Sequence, residues 1–133
     1  MSNPLFRAKP ISGGKLVQGQ IHTYGNSVYI TQTQLMNNNG YDWRVPAIEI
    51  DPETISQFTG YFDKYQISIF EGDILKNPSG KKDIVIWFGN GFYGKSKHSH
   101  DKNRIISNPL CFDYLENKEI IGNIYENPDL LTN

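Results

Sequence analysis

The chain has 133 residues, a formal net charge of −1 and a single cysteine. This length fits one domain, or one domain with a substantial extension, and the near-neutral charge argues against a globally electropositive nucleic-acid binder. One cysteine excludes an intrachain disulfide framework, which fits a reducing cytoplasm. Cys111 stands between Leu110 and Phe112 and is predicted to be a small buried apolar residue. No apolar run approaches the roughly 18 residues of a membrane span, so no membrane partner is expected.

The first part of the chain is predicted to form antiparallel strands. A short strand is expected at residues 5–8, and a longer one at residues 15–24. Gly25-Asn26 is a tight-turn dipeptide, so residues 27–32 are predicted to return as the second strand of a hairpin. Asp51 before Pro52 then predicts a short helix, ended by Thr59-Gly60.

The densest set of turn and strand signals lies in residues 57–74. Thr59-Gly60 is predicted to be a turn, because glycine adopts left-handed conformations without steric cost. Asp63 is expected to accept a hydrogen bond from the backbone two residues further on. A strand is expected at residues 67–70, and Glu71-Gly72-Asp73 then predicts a hairpin or a sharp corner.

Two interpretations of Glu71 and Asp73 are open. As turn residues, their carboxylates would accept hydrogen bonds from backbone amides. As a catalytic pair, they would need environments that separate their pKa values. No His or Lys stands beside them in the sequence, which favours the structural interpretation.

Two motifs carry a family resemblance. The first is a Q-x-T-G pattern, an Asp, a short turn and an I-F-E-G-D-I pattern, formed here by Gln57, Thr59, Gly60, Asp63, Ile69, Phe70, Glu71, Gly72, Asp73 and Ile74. The second is the tail at residues 120–131. In order and spacing they resemble the YopX family of phage and prophage proteins, whereas residues 1–45 show little of this resemblance. Gln66 departs from the family, in which a glycine is common at this position.

The resemblance implies a fold and a genomic setting. The family's C-terminal part is similar to small SH3-like barrels, and a phage or prophage origin places the protein in the cytoplasm of a bacterial host. The resemblance implies no biochemical activity, because the family has none established.

The remaining strands are predicted from turn signals and apolar runs. Residues 84–88 are apolar on both faces, which predicts a strand inside the core. This strand, residues 82–88, is expected to pair in a hairpin with residues 91–95. The segments on either side of Asn108-Pro109 are expected to be extended. The last strand covers residues 119–125, where Gly122-Asn123 predicts a bulge that helps to close a small barrel.

Residues 95–104 form the most basic stretch and are predicted to be a loop. Its candidate binding residues are Lys95, Lys97, His98, His100, Lys102 and Arg104. Three interpretations are open: the basic side chains hold phosphates, the two histidines and Asp101 bind a transition metal, or the loop is only solvated. The metal signal is weak because no third, distant ligand is apparent, so no metal site and no cofactor are predicted.

The predicted fold is therefore mainly β. An N-terminal antiparallel sheet region with a hairpin is expected at residues 1–55, and a YopX-like part at residues 56–133 that holds a small SH3-like β-barrel, residues 66–126.

The predicted function is that of a small binding module without catalysis, with a host or phage protein as partner. One alternative is an accessory protein that binds nucleic acid through residues 95–104. Another is a hydrolytic enzyme in which Glu71 and Asp73 converge with His98 or His100. A self-assembling homo-oligomer is the third alternative.

Overall fold

The computed structural model describes residues 5–32, 47–96 and 107–131, and strands predominate in them. The protein is mainly β. The chain divides into two compact units, Met1–Gln57 and Phe58–Asn133. No helix in the described segments is long and apolar enough to cross a membrane.

The first unit is an antiparallel sheet. Its strands are β1 (Phe6–Ala8), β2 (Val17–Tyr24), β3 (Ser27–Gln32) and β4 (Ala47–Ile50), in the order β4-β3-β2-β1, and the start of β5 (Ser56–Phe62) pairs with β1. The hairpin of β2 and β3 is confirmed, with Gly25 at a φ of 62° in its turn. Ala8, Ile30 and Ile50 are buried and form the core of this unit.

The short helix after Asp51 is confirmed as a single 3₁₀ turn, Pro52–Thr54. Oδ1 of Asp51 accepts a hydrogen bond from the backbone N–H of Glu53, which caps the turn. The predicted end of this helix is wrong, because the chain is already extended at Ser56. Thr59 and Gly60 are strand residues of β5, at an irregularity in its pairing, where Gly60 has a φ of 88°.

The second unit contains a five-stranded antiparallel sheet. Its strands are β7 (Asp73–Lys76), β8 (Lys82–Phe88), β9 (Gly91–Ser96), β10 (Ser107–Pro109) and β11 (Glu119–Asn123), in the order β10-β9-β8-β7-β11. The rest of β5 pairs with β6 (Ser68–Phe70), and α1 (Phe112–Leu115) precedes β11. One cluster of buried core residues consists of Ile69, Leu75, Val85, Leu110 and Leu115, and Phe70 and Ile74 are also fully buried.

The acidic stretch between β6 and β7 is a corner, since these two strands pair with different neighbours. Gly72 has a φ of 90°, and a Cβ there would lie 3.1 Å from the Tyr125 ring. Oδ2 of Asp73 accepts a hydrogen bond from the backbone N–H of Phe70 at 2.8 Å, so Asp73 acts as the predicted turn carboxylate. The bulge predicted at Gly122-Asn123 is also present, as a register shift between Ile120 and Gly122.

Three sequence predictions in this unit need correction. The hairpin of β8 and β9 is present, but β8 is not inside the core along its whole length, because Trp87 and Phe88 are 53% and 51% exposed at its end. In the segment after Leu110, Cys111 is extended as expected, but the chain becomes helical from Phe112. Cys111 is exposed rather than buried, because it lies just before this helix, at the surface.

Candidate binding surface

A groove of about 300 Å³ lies in the second unit, between two short segments. One wall is the turn after β5 and the other is α1 with the residue that follows it. The lining residues are Phe62, Asp63, Lys64, Gln66, Phe112, Leu115 and Glu116. The groove therefore combines aromatic rings with one cation and one exposed carboxylate.

The first wall is held in shape by Asp63, which is buried. Its Oδ1 accepts hydrogen bonds from the backbone N–H groups of Tyr65 and Ile67, at 2.8 and 2.9 Å. Its Oδ2 accepts a third from the backbone N–H of Ile120 in β11, at 3.1 Å. A short acidic side chain stabilises a turn by satisfying its amides in this way, so the predicted role of Asp63 is confirmed.

The second wall is fixed by packing in the core and by hydrogen bonds. Leu115 is buried in the core, and the backbone N–H of Lys64 donates to the carbonyl of Lys118 at 2.9 Å, which links the first wall to the end of the second. The hydroxyl of Tyr114 donates to Oδ2 of Asp83 in β8. Both walls are thus preorganised by hydrogen bonds to residues outside the groove.

Large apolar side chains are exposed at this place more than elsewhere. Of the eight exposed large hydrophobic residues in the described part of the chain, Phe62 and Phe112 line the groove and are 45% and 84% exposed. Two more, Tyr65 and Ile67, lie in the turn that forms the first wall and are 62% and 54% exposed. The Phe112 ring meets the Tyr61 ring edge-on, with 6.2 Å between the centroids. Clustered exposed apolar side chains on a folded surface mark interaction sites, whereas single ones need no explanation.

The two charged residues that line the groove and are free to meet a partner stand on opposite walls. Lys64 is on the turn, with its Nζ 5.1 Å from the centroid of the Tyr65 ring. Glu116 follows α1. Neither forms an ion pair with another described residue. The buried Asp63 carboxylate is occupied by backbone amides and is not offered to a ligand.

A second group of ionisable side chains consists of Tyr114 on α1 and its neighbours Asp83 and Lys118. Burial, then the hydrogen bond to Asp83, raises the pKa of Tyr114, which keeps its phenol protonated. Burial lowers the pKa of Lys118, whose Nζ lies 4.4 Å from the centroid of the Tyr114 ring and donates to the Tyr114 carbonyl at 3.1 Å. These groups contact each other and hold the helix, so we assign them a structural role.

Of the six binding residues predicted in the basic stretch, the structure describes one. Lys95 lies on β9, paired with Ile84 and Ser107. The other residues of the basic stretch, Lys97, His98, His100, Lys102 and Arg104, lie outside the described residues. Convergence of Glu71 and Asp73 with either histidine is therefore not tested. In the described ranges, no three His, Cys, Asp or Glu side chains are grouped to hold a metal ion.

The second unit thus has the corner and the bulge that the sequence motifs indicate. The family model described as YopX protein matches residues 5–132, nearly the whole chain. The chain belongs to the YopX family. Among curated proteins, none matches this YopX family member.

One solved structure supports the fold of this YopX family member. It is the crystal structure of protein EF1440 from Enterococcus faecalis, with a TM-score of 0.60 and 23% identity. The similarity covers 98% of this chain and 99% of that one. At this identity, the likeness concerns the fold.

The groove of this YopX family member was missed by the sequence interpretation. One signal was available, since Phe62, Tyr65 and Ile67 flank the polar turn residues Lys64 and Gln66, which are exposed. Exposed aromatics beside a turn are a stronger indication of binding than aromatics in the middle of a strand. The second wall had no such signal, because the first residue of α1, Phe112, was predicted to be extended.

Proposed function

We propose that this YopX family member is a binding module without catalysis of its own, and that the groove between the Asp63 turn and α1 docks a second protein chain. The observation that carries this proposal is that the exposed aromatic rings of Phe62 and Phe112 line one preorganised groove, with the exposed Tyr65 and Ile67 on the same turn as its first wall. The charged residues Lys64 and Glu116 supply a polar rim around these apolar contacts.

Docking at this groove is favoured by the rigidity of its walls as well as by their apolar area. Aromatic residues are enriched in protein interfaces, where they bury large areas at a small cost in side-chain entropy. The three hydrogen bonds to Asp63 hold one wall before any partner arrives. A preformed surface loses less conformational entropy on binding, which favours affinity.

A pair of matched variants tests this proposal. Phe112 and Tyr24 are both largely exposed, at 84% and 82%, but Tyr24 lies on the β2–β3 hairpin of the first unit. Tagged Phe112→Ser and Tyr24→Ser chains are used to capture partners from the native bacterial cells, beside the unchanged chain. We expect Phe112→Ser to lose the specific partner and Tyr24→Ser to retain it. Equal retention by both variants contradicts the groove as the docking surface.

A second candidate function is binding of nucleic acid on β9. Tyr93 and Lys95 are two residues apart on this strand, so they share one face, and the Phe88 ring meets the Tyr93 ring edge-on at 6.3 Å. Aromatic rings beside a cation favour stacking with bases and contact with phosphates. Binding to mixed single-stranded DNA and RNA, measured across a salt series, should weaken steeply with salt and with Lys95→Glu. Absent or salt-independent binding removes this candidate.

We also propose domain boundaries, a barrel architecture and a genomic setting for this protein. We propose residues 1–55 and 56–133 as the two domains, and a small SH3-like barrel in the second. Support comes from the bulge beside Gly122 and from the Asp63–Ile120 hydrogen bond, which links the turn after β5 to β11. The resemblance of the motifs to phage and prophage proteins supports an origin in a phage or prophage and a place in the bacterial cytoplasm.

A further inference from the structure

We propose that the tip of the β8–β9 hairpin enters the headgroup layer of a lipid membrane. The tip comprises residues 87–93, which are the end of β8, the turn that follows it and the start of β9. None of these seven residues lines the groove, so this interaction goes beyond the proposed function. No membrane partner was expected from the sequence, because no apolar run is long enough to span a bilayer. A tip that lies in the interface needs no such run.

Aromatic rings are exposed on both faces of this hairpin end. Trp87 and Phe88 are 53% and 51% exposed, and successive residues of a strand point to opposite faces. On one face, the Trp87 ring meets the Phe92 ring edge-on, with 4.9 Å between the centroids. On the other face, the Phe88 ring meets the Tyr93 ring in the same way, at 6.3 Å. The rings therefore hold each other across the two strands, and apolar surface projects in two opposite directions.

A lipid interface fits this arrangement better than a protein surface does. A docked protein covers one face of a hairpin unless it has a socket that surrounds the tip, whereas lipid headgroups surround any tip that enters them. Residues 84–94 carry no charged side chain, so the hairpin end brings no ion into this layer. Tryptophan and tyrosine are enriched at membrane interfaces, because their rings are apolar and carry one polar group.

The order of side chains along the hairpin matches the layers of a membrane surface. The headgroup layer is about 5–7 Å thick on each side of the bilayer. Tyr93 is two residues from Gly91 in the turn, or about 7 Å along the strand, so the aromatic rings all fit within this layer. Lys95 is four residues from Gly91, or about 13 Å, which leaves its ammonium group in the water beside the headgroups. Anionic lipids attract a cation at this position. The amide of Asn90 and the backbone polar groups of the turn keep the tip out of the hydrocarbon.

Vesicle binding by the full chain tests the proposal. The purified chain is sedimented with vesicles of phosphatidylcholine alone, and with vesicles of two parts phosphatidylcholine to one part phosphatidylglycerol. We expect binding to both kinds and tighter binding to the anionic one. Phe88→Ser should bind both kinds about tenfold more weakly, because it removes an aromatic side chain from the interface. Lys95→Glu should bind about tenfold more weakly to the anionic vesicles alone, since it acts through lipid charge.

Tyr24→Ser is the matched control. Tyr24 is 82% exposed and, like Phe88, is the last residue of a strand before a glycine-containing turn, but it belongs to the β2–β3 hairpin. This variant should bind both kinds of vesicle as the unchanged chain does. Equal losses in Tyr24→Ser and Phe88→Ser would show adsorption without a specific site. Binding that Lys95→Glu weakens and Phe88→Ser does not would show a purely electrostatic contact. Either result overturns the proposal.

Tryptophan fluorescence locates the tip in the membrane. The chain has two tryptophans, Trp43 and Trp87, so Trp87→Phe removes one fluorophore and keeps an aromatic ring at its position. Lipids with bromine atoms near the headgroup end of their acyl chains should quench the unchanged chain more strongly than Trp87→Phe. Equal quenching of the two proteins places Trp87 outside the membrane and overturns the proposal, as does a lack of binding to both kinds of vesicle. Binding of single-stranded DNA that Phe88→Ser loses, without vesicle binding, assigns the tip to nucleic acid instead.

Discussion

The hydroxyl of Tyr114 donates a hydrogen bond to Oδ2 of Asp83, and this pair links α1 to β8. Asp83 is only 3% exposed, and its other carboxylate oxygen has no hydrogen-bond partner in the described part of the chain. A buried carboxylate depends strongly on each partner it has. The helix wall of the groove therefore depends on an interaction in the core.

Tyr114→Phe is expected to destabilise the second unit. It removes the hydroxyl donor and leaves the Asp83 carboxylate buried with less compensation, which costs about 1–3 kcal/mol. Urea unfolding, followed by tryptophan fluorescence, measures the loss. Because α1 forms one wall of the groove, the variant should also weaken docking at this surface.

A double-mutant cycle separates this pair from its surroundings. Asp83→Asn alone, Tyr114→Phe alone and the double variant are unfolded under the same conditions. Since the two residues are in direct contact, the losses should not add, and a coupling of about 0.5–3 kcal/mol is expected. Strict additivity would contradict an energetic role for this hydrogen bond.

The same tyrosine predicts how stability depends on alkaline pH. Its pKa is raised in the folded protein, by burial first and by Asp83 second, whereas in the unfolded chain it lies near 10. Above about pH 10 the unfolded chain binds fewer protons at this residue than the folded one, so stability falls as the pH rises. Below about pH 10 both states keep the proton, so the stabilisation is fully present and does not change with pH.

The comparison with Tyr114→Phe isolates this effect. The lowered pKa of Lys118 acts in the opposite sense, because the folded protein gives up that proton earlier as the pH approaches about 10.5. Since Lys118 is present in both proteins, the difference between them reports mainly on Tyr114. Unfolding curves of both proteins between about pH 8 and pH 11 should therefore converge as the pH rises. A constant difference across this range is inconsistent with a raised pKa at Tyr114.

The strands could be predicted from the sequence where turn chemistry is local. Gly25-Asn26 and Gly89-Asn90-Gly91 set their hairpins by themselves, since glycine accepts backbone angles that other residues resist. The turn role of Asp63 was also predictable, because two of its three hydrogen bonds reach amides only two and four residues away. These features depend on a few neighbouring residues and need no knowledge of the rest of the chain.

The groove could not be predicted because it depends on contacts between distant residues. The helix after Cys111 begins without a side-chain cap, so the usual start signal is missing. Its position is set by Asp83, which is 31 residues from Tyr114. Exposure of Phe88 was likewise hidden, since an apolar run does not reveal where a strand leaves the core.

Gln66→Gly is expected to stabilise the protein. Gln66 has a φ of 65° and is the only residue other than glycine with a positive φ in the described ranges. A side chain in this conformation costs about 1–2 kcal/mol, part of which is offset by the greater entropy of glycine in the unfolded chain. We expect a net gain of about 0.5–1 kcal/mol in urea unfolding. Gln66→Ala is the control, because it keeps the Cβ and should bring no gain.

Asp63→Asn is expected to open the turn wall selectively. Its amide oxygen can accept from Tyr65 and Ile67 as Oδ1 does, but its NH₂ group then faces the N–H of Ile120 and cannot accept. The loss of unfolding free energy should be about 1–3 kcal/mol. Relative to the unchanged protein, hydrogen exchange should accelerate more at the Ile120 amide than at the Ile67 amide. Equal effects at both amides would contradict this geometry. Asp63→Ala should cost more, because all three hydrogen bonds are lost.

Gly94→Ala is expected to disrupt the packing of α1 against β9, although Gly94 does not line the groove. A Cβ at this position would clash with the Tyr114 hydroxyl and would lie 2.8 Å from Cζ of the same ring. The ring must move, and the Asp83 hydrogen bond is lost with it, so a cost of several kcal/mol is expected. In the Tyr114→Phe variant the hydroxyl is gone, and the added cost of Gly94→Ala should be smaller. Urea unfolding of the four proteins measures this coupling, and an undiminished cost in the Tyr114→Phe background would show that the clash lies elsewhere.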